Sequence, residues 1–121
     1  MSPSNNDLIA SLAGKELTAV SFVLDYIILE FEEFFLTALS LPYIQASDTK
    51  FMNGMVGYRD ILCDRIAHKV SSASDTEGQE IRITFDEGSV LAIPLRLEEC
   101  PGMEAAILQI ESEIKWVWRF A

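Results

Sequence analysis

Hydrophobic and polar residues alternate most clearly between Glu80 and Leu97, in the run EIRITFDEGSVLAIPLRL. Alternate residues from Ile81 to Phe85 are apolar, so they share one face of a strand, since successive side chains point to opposite faces. Gly88 follows, and it can adopt the positive φ that closes a three-residue hairpin loop. The run predicts two antiparallel strands. Pro94 favours an edge position or a bulge for the second strand, unless its nitrogen faces away from the neighbour.

Alternation also predicts strands in the first third of the chain. Leu17 to Leu24 is largely apolar on both faces, and Ile27 to Glu32 alternates as a half-buried second strand or a continuation of the first. Asp25-Tyr26 marks the bend between them. Phe34 to Leu41 satisfies both a strand and a short helix. We predict a third strand there, because Glu32-Glu33 is a plausible turn.

Helical spacing appears in three places. Asn5, Asn6 or Asp7 can cap a short helix, and a second short helix is predicted from Met103 to Ile110. Apolar residues from Tyr58 to Lys69 fall at helical spacing, with charged residues between them, and they predict the main amphipathic helix. Pro42 to Gly57 has no clear periodicity and is interpreted as a long loop. Two more segments are predicted as strands: Val70 to Asp75, and the C-terminal run with Trp116, Trp118 and Phe120.

These elements predict an α+β fold in a single domain covering residues 1–121. The expected architecture is a bent antiparallel sheet of about five to seven strands, with the helix from Tyr58 to Lys69 packed on it and short helices at the termini. The apolar character of both strand faces, together with the aromatic C-terminal strand, favours a homodimer.

The charge balance narrows the class of partner. Nine Lys and Arg stand against 19 Asp and Glu, which gives a formal net charge of −10, and half of the residues are hydrophobic. That hydrophobic fraction favours a packed core over disorder. An acidic surface repels phosphate, so nucleic acids and anionic membranes are not the expected partners. A basic protein or a cation fits better.

The sequence also predicts a cytoplasmic protein with reduced thiols. Cys63 and Cys100 are too few for a disulfide scaffold, and the first residues lack the charged and apolar regions of a secretory signal. The apolar stretch from Leu17 to Leu41 contains four acidic residues, each costing about 2.5–3.5 kcal/mol at a bilayer centre. It is therefore not expected to span a membrane.

The spacing that most suggests a functional site is that of Asp60, Asp64 and His68, which are four residues apart on the predicted helix. Two carboxylates and an imidazole on one helix face could ligate a divalent metal. However, the set spans about 12 Å along an ideal helix, too far for one ion to bridge its ends. A solvated face with Asp64 paired to His68 is the favoured interpretation, and no metal or cofactor is predicted.

A second candidate is the acidic group around the first two strands, which could serve as an acid and base or bind a cation. The ordinary alternative is a wet sheet face that keeps the protein soluble. Asp25 stands out because it interrupts an apolar run, and if buried it needs a partner such as an arginine or a tyrosine. For Cys63, packing is favoured over a role as a thiolate with His68. The residues predicted for binding are Asp25, Tyr43, Tyr58, Arg59, Asp60, Asp64 and His68.

Several runs together resemble a group of small bacterial domains, some of which are similar in layout to short immunity-type proteins. These runs are VSFVLDYIILEF, YRDILCDRI, IRITFDEGSVLAIPL, PGMEAA and WVW, and they span most of Leu17 to Trp118. The resemblance is a pattern of strands and turns, and it implies no functional residue. The Glu32-Glu33 turn departs from the Asp-Gly type expected there.

The chain has no phosphate loop, zinc spacing, nucleophile elbow or dinucleotide fingerprint. The sequence therefore favours an acidic protein-binding or self-associating module, of the kind that an immunity-type inhibitor of a basic partner would be. The alternative is a small-molecule or metal-dependent enzyme that uses carboxylates on the helix and the strand, namely Asp25, Asp60 and Asp64 with His68.

Overall fold

A computed structural model describes residues 5–76, 79–96 and 103–120. In these ranges the protein is mostly β, with two antiparallel five-stranded sheets and two short helices. In chain order, the elements are α1 (Asn5–Ala10), β1 (Leu17–Val23), β2 (Tyr26–Phe31), β3 (Phe34–Ala38), β4 (Tyr43–Ala46), β5 (Thr49–Phe51), α2 (Tyr58–Cys63), β6 (Val70–Thr76), β7 (Glu80–Phe85), β8 (Val90–Pro94), β9 (Glu104–Ile110) and β10 (Glu113–Arg119).

The strand order is β1-β2-β3-β9-β10 in the first sheet and β5-β4-β8-β7-β6 in the second. The two sheets share one hydrophobic core, to which they turn alternate residues of their strands. In β2 and β3, for example, Leu29 and Leu36 are fully buried, whereas Ile28 and Phe35 point outward and are half-buried. The predicted α+β fold, with a main helix on a single sheet, is therefore wrong.

The opening hairpin is confirmed. β7 pairs with β8 from Glu80↔Pro94 to Thr84↔Val90, and Gly88 has a φ of 98° in the loop between them. Pro94 needs no edge strand, since β8 lies between β4 and β7. The pairing of β8 with β4 ends at Ala92, so the missing N–H of Pro94 interrupts no ladder on that side.

The predicted main helix is much shorter than expected. α2 ends at Cys63, and turns occupy the next four residues. The backbone N–H of Ala67 donates to the carbonyl of Leu17, and the N–H of Leu17 donates to that of His68. Because this segment pairs with the start of β1, its backbone groups are not available to continue a helix. Ala67, with a φ of 78°, lies outside helical geometry.

Two other predictions are also wrong. The segment interpreted as a loop, Pro42 to Gly57, contains a hairpin of β4 and β5 with a two-residue Ser47-Asp48 turn. The segment predicted as a helix, Met103 to Ile110, contains β9, which lies between β3 and β10. Ala105, Ala106 and Leu108 are fully buried there, so packing in the sheet overrides the helix propensity of alanine.

The two sheets also meet at their margins. Glu16 forms an isolated bridge with Lys69, next to the start of β6. The indole Nε1 of Trp118, on β10, donates to Asp75 Oδ2 on β6 at 2.9 Å. α1 packs against β6 and β10, and α2 packs against β1 and β4. Within the described ranges, no helix is long and apolar enough to cross a membrane. The predicted Thr76-Glu77-Gly78 turn and the loop at Cys100 lie mainly outside those ranges.

Candidate functional site

The β1–β2 turn and the start of α2 lie together at one end of the protein, and four predicted binding residues belong to these two segments. Asp25 lies in the two-residue turn that joins Val23 to Tyr26. Tyr58, Arg59 and Asp60 form the first turn of α2. Tyr58 and Arg59 line a cleft together with both ends of the β1–β2 turn. The structure therefore brings together segments that are more than 30 residues apart in sequence.

Two adjoining clefts occupy this end, with volumes of about 290 and 280 Å³. Both are lined by Asn53, Tyr58 and Arg59. The first extends along the β1–β2 hairpin to Leu41, and the second follows the loop from Asn53 to Gly57. Each lies near the lower limit of ordinary small-molecule pockets, which is about 300 Å³. Shallow clefts of this size suit the side chains of a protein partner.

Arg59 is the central polar group of this end. Its guanidinium lies over the Phe22 ring, 5.4 Å from the centroid, and the residue is exposed. Within the described ranges, no carboxylate lies in ion-pair distance of it. An exposed arginine with a face on an aromatic ring keeps donors free for a ligand or a partner.

Tyr58 anchors the start of α2. It is 3% exposed, and its hydroxyl donates to the backbone carbonyl of Pro42. Burial raises the pKa of the phenol to about 12, so the hydroxyl remains protonated and keeps donating at neutral pH. Gly57, just before the helix, has a φ of 88°, a conformation that favours glycine. Tyr58 is therefore a structural residue that positions Arg59.

Large apolar side chains are exposed in the segments that form this end, namely β1 with its turn and the segment between β5 and α2. Leu24, in the β1–β2 turn, and Val56, in the loop before α2, are fully exposed at 102% and 98%. Phe22, Met52 and Met55 are exposed at between 38% and 51%. Among the described residues, these five are the majority of the nine large exposed hydrophobic side chains. We call this group, together with Arg59, the tip surface: Phe22, Leu24, Met52, Met55 and Val56.

The remaining polar candidates at this end are exposed. Asp25 is solvated in its turn, so it does not need the buried partner that was considered for it. Asp60 is exposed and lines the second cleft beside Arg59. These two carboxylates place negative charge at the margin of the tip surface.

Tyr43 lies elsewhere, on the outer side of the second sheet. Its hydroxyl donates to Glu80 Oε1 at 2.8 Å, and Lys50 Nζ lies 4.1 Å from its ring centroid. Arg82 Nη1 in turn donates to Glu80 Oε2 at 3.1 Å. Burial, followed by the hydrogen bond to Glu80, raises the pKa of the Tyr43 phenol. The contacts of Tyr43 are those of a residue that covers its own sheet.

His68 is not on a helix and does not pair with Asp64, contrary to the predicted helix face. Its Nδ1 donates to Oδ1 of Asp86, in the β7–β8 loop, at 2.9 Å. This hydrogen bond lowers the pKa of the Asp86 carboxyl. Asp64 follows the last residue of α2 and is exposed.

Near the His68–Asp86 hydrogen bond, a buried arginine also binds the β7–β8 loop. Arg65 is 7% exposed, and its Nη1 donates to Glu87 Oε1 at 2.9 Å and to Ser89 Oγ at 2.6 Å. Ser89 is 3% exposed, and its hydroxyl is also hydrogen-bonded to Glu87. The side chains of Arg65 and His68 therefore hold the β7–β8 loop against the turns that follow α2.

The predicted carboxylate and imidazole candidates do not form one site. Within the described ranges, no group of three or more His, Cys, Asp or Glu side chains could hold a metal ion. Cys63, expected to be packed, is instead exposed. No observation brings Asp25, Asp60, Asp64 and His68 together for the alternative enzyme function.

Comparisons of this chain with protein-family models, with curated proteins and with solved structures found no match. The resemblance to small immunity-type domains stays a prediction.

The apolar members of the tip surface were not predicted as site residues. Leu24 looked like the end of an apolar strand, because the bend was expected at Asp25-Tyr26 and the turn is formed by Leu24 and Asp25. Met52, Met55 and Val56 lie in the segment interpreted as a long loop, but their exposure depends on the fold. The available signal was three apolar residues in a run with Asn-Gly and a second glycine, where a turn exposes whatever lies beside it.

Proposed function

We propose that this protein is a protein-binding module and that the tip surface is its contact with the partner. The observation that carries the proposal is the full exposure of Leu24, which lines the first cleft with Arg59, and of Val56, in the loop just before α2. An apolar side chain gains about 1.5–3 kcal/mol on complete burial, so two such loops supply binding free energy once a partner covers them. Arginine, methionine and aromatic residues, here Arg59, Met52, Met55 and Phe22, are also enriched in protein–protein interfaces.

The expected partner is a basic protein. A net charge of −10 attracts a basic molecule over long distances and speeds its encounter, while the apolar residues supply the contact. Asp25 and Asp60, at the margin of the tip surface, can pair with lysine or arginine of the partner. Inhibition of a basic partner, as by an immunity-type protein, is one function that such binding would serve.

The proposal is tested by site-specific photo-crosslinking in cells of the source organism. A photoreactive amino acid replaces Val56 in one variant and Thr84, on the outer side of the second sheet, in the control. We expect a crosslinked protein at position 56 and none at position 84, with the captured protein identified by mass spectrometry. No crosslink at position 56, or the same product at both positions, would contradict the proposal.

The captured protein is then purified and titrated against wild type and Leu24→Asp. We expect the dissociation constant to rise at least about 10-fold in the variant, because a carboxylate replaces an apolar contact. Raising the salt concentration should weaken the complex, since charge attraction is screened. Equal affinity of wild type and variant would place the contact elsewhere.

A further inference from the structure

The outer side of the first sheet is a second apolar surface, separate from the tip surface. Strand registers place Ser21, Ile28, Thr37, Ile107 and Val117 in one cross-strand row. The next row consists of Ala19, Glu30, Phe35, Gln109 and Ile114. Of the ten residues in these two rows, only Glu30 is charged. We call these two rows the apolar face.

No described helix packs substantially on this face. α1 contacts β6 and β10, and α2 contacts β1 and β4, while β2, β3 and β9 contact mainly their neighbours in the sheet. The second sheet lies on the opposite side, where it shares the core with Leu29, Leu36 and Leu108. In the described part of the chain, the outward side chains of β2 and β3 are therefore left without a covering layer.

The outer side of the first sheet, of which the apolar face is the central part, has the size of an interface. Five strands about 4.8 Å apart, each five to seven residues long, give this whole side roughly 20 by 20 Å, or about 400 Å² in projection. A side-chain surface has a larger accessible area than its projection, which brings it towards the roughly 800 Å² that each partner contributes to a stable complex. Monomeric proteins rarely leave a contiguous apolar patch of more than a few hundred Å² in water.

We propose that a second copy of this chain covers the apolar face and that the protein is a homodimer with its two first sheets face to face. We choose a second copy of the chain as the partner because the strand registers are symmetric about β3. A two-fold axis along β3, between the two faces, places β3 on β3 and β2 on β9 of the partner. Aligned sheets pack at about 30°, so the axis tilts slightly from the strand while the central residues remain in contact.

This axis makes the face complementary to itself. Phe35, on β3, lies opposite Phe35 of the partner subunit, and Ile28 lies opposite Ile107 of the partner subunit. Glu30 and Gln109 share the row of Phe35 at equal distances on either side. The axis therefore places Glu30 opposite Gln109 of the partner subunit, whose amide N–H can donate to the carboxylate. The single charge of the face thus gains a hydrogen-bond donor when it is buried.

The effect of salt distinguishes this contact from binding of a basic partner. Two copies of charge −10 repel each other, and salt screens the repulsion. Salt should therefore strengthen the dimer, whereas it weakens a complex with a basic protein. The apolar face and the tip surface share no residue, so one proposal can fail while the other stands.

The first experiment is sedimentation velocity on the purified chain over protein concentrations from about 1 to 200 µM, the range where weak dimers dissociate. We expect the mass to rise from that of the 13.6 kDa chain to twice that value, at lower protein concentration in high salt than in low salt. A folded chain that stays monomeric at every concentration and at both salt concentrations would overturn the proposal.

The second experiment compares Phe35→Glu with Thr84→Glu, which adds the same side chain to the outer side of the second sheet. We expect Phe35→Glu to raise the dimer dissociation constant at least about 100-fold, because two carboxylates would meet at the axis. Thr84→Glu should dimerise like wild type. A dimer that survives Phe35→Glu but is lost in Leu24→Asp would place self-association at the tip surface and overturn the assignment.

A third experiment does not depend on how well Phe35→Glu folds. Phe35→Cys and Thr84→Cys are prepared in a background of Cys63→Ser and Cys100→Ser. Facing sheets pack about 10 Å apart, which is too far for a direct disulfide, so a short bismaleimide reagent is used to join the two thiols. Because position 35 lies at the axis, the Phe35→Cys chain should be crosslinked to a dimer at micromolar concentration. The Thr84→Cys chain should remain uncrosslinked. Equal crosslinking of the two chains, or none at position 35, would contradict the proposed geometry.

Discussion

The outward-facing side chains of the two sheets differ in their contacts. On the second sheet, Tyr43, Glu80 and Arg82 are joined by hydrogen bonds. They lie around Ala92, which faces outward yet is fully buried. On the first sheet, the two rows of the apolar face carry six apolar residues, three uncharged polar residues and one charge. The second sheet covers its own outer side, whereas the first leaves apolar groups for another molecule to cover.

The hairpin loops show the same difference. The β7–β8 loop of the second sheet is held by Arg65 and His68, which pair with Glu87 and Asp86. The β1–β2 turn of the first sheet projects a fully exposed Leu24 beside an exposed Asp25. Both proposed contacts therefore involve the first sheet, while the second sheet has the features of a scaffold.

The largest expected effect on stability comes from comparing two neighbouring residues of β3 that face opposite sides of the first sheet. Leu36 is fully buried, so Leu36→Ala should cost about 2–5 kcal/mol of unfolding free energy through lost burial and a cavity. Phe35→Ala should cost about 1 kcal/mol or less in the monomer, because that side chain faces outward. Urea unfolding at low protein concentration measures both. Equal losses would mean that something covers Phe35 within the chain.

A comparison of two arginines tests the difference between the loops. Arg65→Ala should cost about 1–3 kcal/mol, because Glu87 and Ser89 lose a charged donor in a mostly buried place. Arg59→Ala should change unfolding by less than about 1 kcal/mol, since only its contact with Phe22 is lost. Urea unfolding is again the measurement, with circular dichroism as a check on the fold. If Arg59→Ala were the more damaging change, the tip surface would be part of the scaffold.

The sequence predicted best those parts of the fold whose pairing is local. Strands β7 and β8 follow from alternation on either side of Gly88, and β2 and β3 from alternation on either side of Glu32-Glu33. The latter turn lacks glycine, and Glu32 instead has a φ of 59°. Its carboxylate accepts a hydrogen bond from the Glu16 backbone at 2.8 Å. A contact 16 residues away therefore accompanies a turn that the sequence identified only by its charges.

The errors fall where distant segments decide local structure. The helix expected to reach Lys69 ends early because Ala67 pairs with Leu17, 50 positions earlier in the chain. β9 is a strand because two strands flank it, although its alanines favour a helix. The pairing of His68 with Asp86 is equally distant. No local pattern contains these partners.

The candidate site was predictable in part for the same reason. The sequence named Asp25 because it interrupts an apolar run and Asp60 because of its helical spacing to Asp64 and His68. It also named Tyr58 and Arg59, at the start of the helix that follows the long loop. The structure places them at one end of the protein. It also shows that Leu24 is exposed, because Leu24 and Asp25 form a turn that lies one residue before the expected bend. The period of a strand is two, so a shift of one residue changes which side chains face water.

A hydroxyl deletion on each sheet tests whether the second sheet depends on its polar network. Tyr43→Phe should cost about 0.5–1.5 kcal/mol, because Glu80 loses a partly buried donor. Tyr26→Phe, on the outer side of the first sheet, should be nearly neutral, since its hydroxyl has no hydrogen-bond partner among the described residues. Thermal or urea unfolding of both variants gives the comparison. An equal cost for Tyr26→Phe would show that the first sheet also has polar contacts across its outer side.

The smallest expected effect is a pH dependence that belongs to the β7–β8 loop. The hydrogen bond from His68 lowers the pKa of Asp86 in the folded protein, so the carboxylate stabilises the fold above its unfolded pKa of about 3.9. That contribution disappears as the pH falls through the lower folded pKa. Wild type should therefore lose more stability than Asp86→Asn between pH 6 and about pH 2, in urea midpoints measured at each pH. Asp25→Asn is the control from the first sheet, because Asp25 has no hydrogen bond or ion pair within the described ranges. An acid-dependent change as large in Asp25→Asn as in Asp86→Asn would mean that the β1–β2 turn is also held by its charge, and that the two hairpin loops do not differ as proposed.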